Sequence, residues 1–132
     1  MGFVRNLSAA EMVNQVCGVR DFLLKSTEQK EQGKGITNIV FMGMGEPLNN
    51  LDNLLTAISI LTEQKGLDFT GRRITVSTCG IVPKMRPLGE QTAVNLAVSL
   101  HAVTNETRTL LMPINKTYPI ELLLEACRTY PM

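Results

Sequence analysis

The chain has 132 residues, 44% of them hydrophobic and 19% charged, an ordinary globular balance sized for one modest core or part of one. Thirteen basic residues against twelve acidic ones leave a net charge of +1, which excludes the strongly basic footprint of a free-standing nucleic-acid binder. It does not exclude an RNA substrate held by another part of a larger protein.

The first predicted element is a helix. Ser8-Ala9-Ala10-Glu11 is a capping box, in which the serine hydroxyl accepts from the third helical amide and the glutamate reaches back to the cap amide. Met12, Val13, Val16, Phe22 and Leu23 follow at helical spacing, and the helix fades in the polar run from Thr27 to Gly35. Thr37 to Met42 reads as a continuous apolar strand with both faces buried, as in a parallel sheet. Gly43 to Asn50 is a loop. Leu51, Leu54, Leu55, Ile58 and Leu61 form a second helical stripe, closed by Lys65-Gly66.

Arg73 to Thr78 is a second strand, rich in β-branched residues. A short helix through Met85 and Leu88 is expected to be interrupted by Pro83 and Pro87. Val94 to Leu100 is the third strand. A helical turn from Thr104 to Leu111 stops before Pro113. The last helix opens near Pro119 and carries Leu122, Leu123 and Ala126. Strands alternating with helices predict an α/β fold with about three parallel strands and flanking helices. A sheet that thin leaves two open edges, which suggests further strands on both sides.

Ligands of parallel α/β sheets sit at the carboxyl ends of the strands. The first strand ends in Gly43-Met44-Gly45-Glu46-Pro47, which is neither a dinucleotide fingerprint nor a P-loop. The fixed carboxylate of Glu46 would repel a pyrophosphate and suits a cation such as an ammonium group. The plainer alternative is a tight turn with a solvated glutamate. The second strand ends in Ser77-Thr78-Cys79-Gly80, whose hydroxyls either bind a carboxylate or ribose or merely finish the strand. The third ends in Ser99-Leu100-His101-Ala102, and His101 is the only histidine, too few for a metal site by itself. Small polar residues at all three ends favour one shared pocket.

Cys17, Cys79 and Cys127 are spaced neither as a metal knuckle nor as a Cys-x-x-Cys pair, and read as small buried hydrophobes in a protein of the reducing cytoplasm. Met42, Met44, Met85 and Met112 read as packing residues, and Arg72-Arg73 as a solvated strand start at the opposite rim. No stretch is long and apolar enough to span a bilayer.

Five ordered motifs resemble one family. They are Gly2 to Glu11, Phe41 to Asn50, Arg72 to Thr78, Ser99 to Ala102, and Pro113-Ile114-Asn115-Lys116. Together they are similar to the radical SAM adenine C2-methyltransferases of ribosomal RNA and tRNA, the RlmN/Cfr family. The resemblance covers essentially the whole chain and implies the central part of one partial (β/α)6 barrel domain, spanning residues 1–132. It implies S-adenosyl-L-methionine and a [4Fe–4S] cluster as cofactors, and ribosomal RNA and tRNA as substrates of the complete enzyme. Carried over by motif, Gly45 and Glu46 would meet the methionine amino group, Ser77 the methionine or ribose portion, and Ser99, Leu100 and His101 the rest of the cofactor pocket. Ligand cysteines for the cluster lie upstream of the Gly-Phe-x-Arg-Asn-Leu element in the family, and the methyl-carrying cysteine lies downstream. Neither is in this chain. Val103-Thr104-Asn105 also replaces the family's Pro-Asn-Asp. The chain alone is therefore expected to hold no cluster and to be inert, with a complementing chain supplying the rest. Two alternatives stay open: a non-catalytic module binding a small cationic metabolite, and an unstable truncated product.

Overall fold

The structure, a computed structural model, describes residues 4–26, 35–42 and 44–131. Gly43, most of the polar run after the first helix, and the Gly2-Phe3 start of the first motif lie outside the described residues. Helices and strands alternate: α1 (Ala9–Ser26), β1 (Ile39–Phe41), α2 (Leu51–Thr62), β2 (Ile74–Thr78), α3 (Val82–Gln91), β3 (Asn95–Val98), α4 (Asn105–Leu111) and α5 (Ile120–Arg128). Short 3-10 turns cover Pro47–Asn50, Gly71–Arg73 and Pro113–Lys116. The strands form one parallel sheet in the order β1-β2-β3. The expected α/β architecture is observed.

The register puts apolar side chains on one face. Ile39 lies opposite Ile74, Phe41 opposite Val76, Val76 opposite Leu96 and Thr78 opposite Val98. Since strand side chains alternate, these residues share a face. Against it pack Leu54, Ile58 and Leu61 of α2, Met85 and Leu88 of α3, and Leu123 of α5, all buried. The helices line up in chain order, α1 on α2, α2 on α3 and α3 on α5. Each of these side chains contributes about 1.5–3 kcal/mol through burial.

Among the described residues, the other face of the sheet is open. Val40, Thr75, Ser77, Asn95 and Ala97 alternate onto it, and none is buried. This corrects the expectation of a first strand buried on both faces, because Val40 is 51% exposed. Among the described residues β1 is an edge strand with no second layer over this face. Continuous apolar runs report what a strand needs covered, and the covering layer is not within this chain's described residues.

Two smaller expectations fail for local reasons. α2 ends at Thr62, before Lys65-Gly66, because Glu63 is extended and its carbonyl accepts from Gly66 and Asp68 in a separate turn. α3 is not interrupted. Pro83 falls in its first turn, where no helical bond is lost, and burial of Met85, Leu88 and Gly89 carries the helix through Pro87. On α5 Leu123 enters the core, whereas Leu122 faces outward.

The predicted capping box forms. The Ser8 amide donates to Glu11 Oε2 at 2.8 Å, and the Glu11 amide donates to Ser8 Oγ at 3.3 Å. Arg5 closes on the same carboxylate through both terminal nitrogens. The Arg5 guanidinium, followed by the Ser8 amide and hydroxyl, holds the Glu11 carboxyl at about 2. A depressed carboxyl stabilises the fold above its ordinary range, and that contribution is lost as pH falls towards 2. Ser8→Ala should lower stability by about 1 kcal/mol at neutral pH, read as a lower urea midpoint at unchanged slope. An unchanged midpoint would show that the cap is idle.

Candidate functional site

All three strands run the same way, so their carboxyl ends meet at one rim. Each chain leaves its strand through a residue with positive φ: Gly45 at +108° after β1, Gly80 at +100° after β2, and His101 at +59° after β3. Gly80 is also required by space, since a Cβ there would sit 2.7 Å from Leu123 Cδ1. Gly45 has open space around it, and only its backbone angle demands glycine. His101 is the centre of a γ-turn, in which the Ala102 amide donates to the Leu100 carbonyl at 2.8 Å. A histidine held at such an angle stores strain of the kind that accumulates at functional sites.

Glu46 ties two of these ends together. Its Oε1 accepts from the Leu48 amide at 3.0 Å and caps the 3-10 turn at Pro47–Asn50. Its Oε2 accepts from the Cys79 amide, just past β2, at 2.7 Å. The residue read as a cation partner is thus first a brace between loops. A carboxylate has about four acceptor positions, and those not taken by these amides can still accept from an ammonium group. It lines a groove of about 530 Å³ between α1 and β1, together with Arg5, Leu7, Val16, Val40 and Met44. The groove corrects the reading of the methionines. Met85 is core, but Met42 and Met44 are 70% and 88% exposed. Asn50, from the same motif, donates to the Leu7 carbonyl at 2.7 Å and so joins this loop to the entrance of α1.

The serines and the threonine divide. Ser77 sits on the open face of β2, and Ser99 continues the same face of β3, where its amide extends the ladder to the Thr78 carbonyl at 2.9 Å. Neither hydroxyl makes a hydrogen bond within the described residues, and neither residue is buried. Thr78 is buried and its Oγ1 accepts from the Gly80 amide at 3.0 Å, which makes it a turn cap. The Leu100 side chain packs against the core. His101 is exposed. Arg72 and Arg73 are exposed at the opposite end of β2, as expected of a solvated strand start.

Cys79 is a half-buried thiol beside a carboxylate. Burial, then its hydrogen bond to Glu46 and that residue's negative charge, push its pKa up to about 12. Burial also raises Cys127.

The residue that sequence reading passed over is Arg108. It is fully buried on α4, yet in the sequence it looks like any basic residue of a short polar helix. Its Nη2 donates to the Cys79 carbonyl at 2.8 Å, its Nε to the Leu100 carbonyl at 3.2 Å, and its Nη1 to Asn115 Oδ1 at 2.8 Å. Asn115 donates onward to the Asn105 carbonyl, and Asn105 Oδ1 accepts from the Ile120 amide at the start of α5. The asparagine of the Pro-Ile-Asn-Lys motif was the available signal, because a polar side chain buried in the turn between α4 and α5 needs a buried partner.

A sequence model described as the Radical SAM superfamily matches residues 19–131. The chain belongs to the radical SAM superfamily. Over its whole length it is 66% identical to the dual-specificity RNA methyltransferase RlmN of Desulfotalea psychrophila and 58% identical to that of Syntrophobacter fumaroxidans. It spans only 37% and 36% of those relatives, about a third of their length. The crystal structure of a radical SAM methyltransferase from Sphaerobacter thermophilus superposes with a TM-score of 0.89 at 46% identity, covering 98% of this chain and 37% of that one. The superfamily implies an iron–sulfur cluster held by thiolates. The thiols described here do not fit one. Cys17 lies within α1, Cys79 follows β2, and Cys127 lies near the end of α5. Among the described residues no three His, Cys, Asp or Glu side chains gather as a metal site. No helix among them is long and apolar enough to cross a membrane.

The raised Cys79 thiol gives this radical SAM chain a chemical signature. Alkylation by iodoacetamide at pH 8 should be slower at Cys79 than at free cysteine by roughly a thousandfold, since only the thiolate reacts. Glu46→Gln should speed it, because it removes the neighbouring negative charge that resists ionisation. Mass spectrometry of the labelled peptide checks both, and rapid labelling of the unsubstituted chain would contradict the geometry.

Proposed function

We propose that this chain contributes the S-adenosylmethionine-binding strand ends of a radical SAM methyltransferase acting at C2 of an adenine in ribosomal RNA and tRNA. The observation that carries the reading is the braced rim. A carboxylate with spare lone pairs, two serine hydroxyls without internal partners and two glycine turns meet at one end of a parallel sheet. In this reading Gly45 and Glu46 receive the methionine ammonium, and Ser77 and Ser99 donate to its carboxylate or ribose. Leu100 contributes main chain, since its side chain belongs to the core, and the strained His101 borders the ligand.

In the complete enzyme the cofactor and a [4Fe–4S] cluster would together supply the chemistry of placing a methyl group on an unactivated aromatic carbon. The thiols of this chain do not provide the cluster's ligands, so the isolated chain transfers no methyl group. The segments that hold the cluster, carry the methyl group and grip the RNA come from elsewhere in the complete enzyme, or from a complementing chain. The exposed edge of β1 and the adjoining groove are where a further strand would complete the sheet. The reading implies work in the cytoplasm, where three free thiols persist.

A chimaera tests this. The matching third of the Desulfotalea psychrophila relative is exchanged for this chain, and methylation of C2 of adenine in ribosomal RNA is measured under anaerobic conditions. The chimaera should be active. Ser77→Ala with Ser99→Ala should raise the KM for S-adenosylmethionine about tenfold, from two lost ligand hydrogen bonds. A folded chimaera with its cluster but no activity, or an unchanged KM in the double variant, would overturn the reading.

A further inference from the structure

Arg108 carries a permanent charge into a position with no contact to water. Burying such a charge is costly unless hydrogen bonds replace the lost hydration. Here the replacements are neutral oxygens: the carbonyls of Cys79, Leu100 and, at 3.5 Å, Tyr118, and the side-chain oxygen of Asn115. No carboxylate is among them. A lone arginine held by main-chain carbonyls is an expensive way to stabilise a fold, because an apolar side chain of similar volume would serve as well. What it does that an apolar residue cannot is hold two chain segments at fixed separation through one planar fork.

The two segments are the exits of β2 and β3. Regular pairing between those strands ends at the Ser99 amide and the Thr78 carbonyl. Beyond that point the chains diverge, and the Arg108 guanidinium spans the gap from Cys79 to Leu100. The carbonyl it takes from Leu100 is also the acceptor of the γ-turn that holds His101 at positive φ. The carbonyl it takes from Cys79 belongs to the peptide that leads into Gly80. On the other side of Cys79 its amide is held by Glu46. One residue's main chain therefore lies between a carboxylate and a guanidinium, each bond polarising the peptides between them. The same two charges act on the Cys79 thiol, Glu46 raising its pKa and Arg108 lowering it.

We infer that Arg108 is a positioning residue for the rim, fixing the main chain of Cys79 and the His101 turn so that the ends of β2 and β3 meet a ligand in one geometry. The inference rests on the cofactor reading of that rim, though the brace itself can be measured without ligand. The buried chain Arg108–Asn115–Asn105 extends the hold to the start of α5, which gives the Asn115 motif a function remote from any ligand contact.

The test uses the 132-residue chain, its amide hydrogen exchange by NMR, and calorimetric titration with S-adenosylhomocysteine. Three variants are compared: Arg108→Gln, Arg108→Lys and, as a control for general destabilisation, Leu61→Ala in the core at the far end of α2. In Arg108→Gln the amides of Cys79, Gly80 and Ala102 should exchange about ten- to a hundredfold faster, while Val76 in the centre of the sheet changes by less than about threefold. Arg108→Lys keeps the charge and the fold but reaches only one carbonyl at a time, so the same amides should stay fast. Leu61→Ala should speed all four together. Affinity for S-adenosylhomocysteine should fall about tenfold or more in both Arg108 variants, and less in Leu61→Ala at a temperature where all are folded.

Unchanged exchange at Cys79 and Ala102 overturns the inference. So does uniform acceleration or loss of folding in both Arg108 variants, which would make the residue a general stabiliser. A loosened rim with unchanged affinity also overturns it. If the unsubstituted chain takes up no S-adenosylhomocysteine, the cofactor reading fails for the isolated chain, and the exchange pattern still decides whether Arg108 sets the rim.

Discussion

The main chain of Cys79 is held at both ends, by a carboxylate at its amide and a guanidinium at its carbonyl. The rest of the site depends on that clamp. Glu46 brings in the loop after β1, and its other oxygen caps the turn that leads into α2. Arg108 brings in the exit of β3 and, through Asn115, the start of α5. Four segments far apart in sequence are thus referred to the main chain of one residue. The hydrophobic core cannot do this, because it is non-directional and lies on the opposite face of the sheet. The core sets where the layer of helices sits, and the polar clamp sets where the strand ends point.

That division follows from the two faces of the sheet. One face is Ile39, Phe41, Ile74, Val76, Leu96 and Val98, covered by helices. The other is Val40, Thr75, Ser77, Asn95 and Ala97, left open. Small and hydroxyl-bearing side chains on an open face of a parallel sheet make room for a ligand or another layer. The chain spans about a third of the length of the curated relatives it matches.

Much of this was legible in the residues themselves. The capping box at Ser8 and Glu11, the β-branched run from Ile74 to Thr78, and the helical stripe of Leu54, Ile58 and Leu61 are local patterns, and local physics decides them. Failures came where a neighbour decides. Val40 looked buried because it is apolar, yet its exposure depends on a strand or layer outside the described residues. Pro87 looked like a break, but burial of the flanking α3 residues outweighs one lost hydrogen bond. Thr78 and Ser77 are adjacent hydroxyls with opposite fates, since alternation sends Thr78 inward to cap Gly80 and leaves Ser77 on the open face. Arg108 was invisible, because nothing in a one-dimensional pattern distinguishes a buried arginine from a solvated one. Glu46 was read as a ligand partner from its charge and position, and its additional role as a brace required knowing that Cys79 lies beside it.

The central claim is that the carboxyl ends of the strands form one ligand rim. It is tested most directly by an NMR titration of the isotopically labelled chain with S-adenosylhomocysteine, following every assigned amide. The account predicts that shifts concentrate at Gly45, Glu46, Ser77 to Gly80 and Ser99 to Ala102, while Arg72, Arg73 and Thr92 at the opposite end of the sheet stay still. Shifts centred on that opposite end, or scattered over the helices with the rim unmoved, would contradict it.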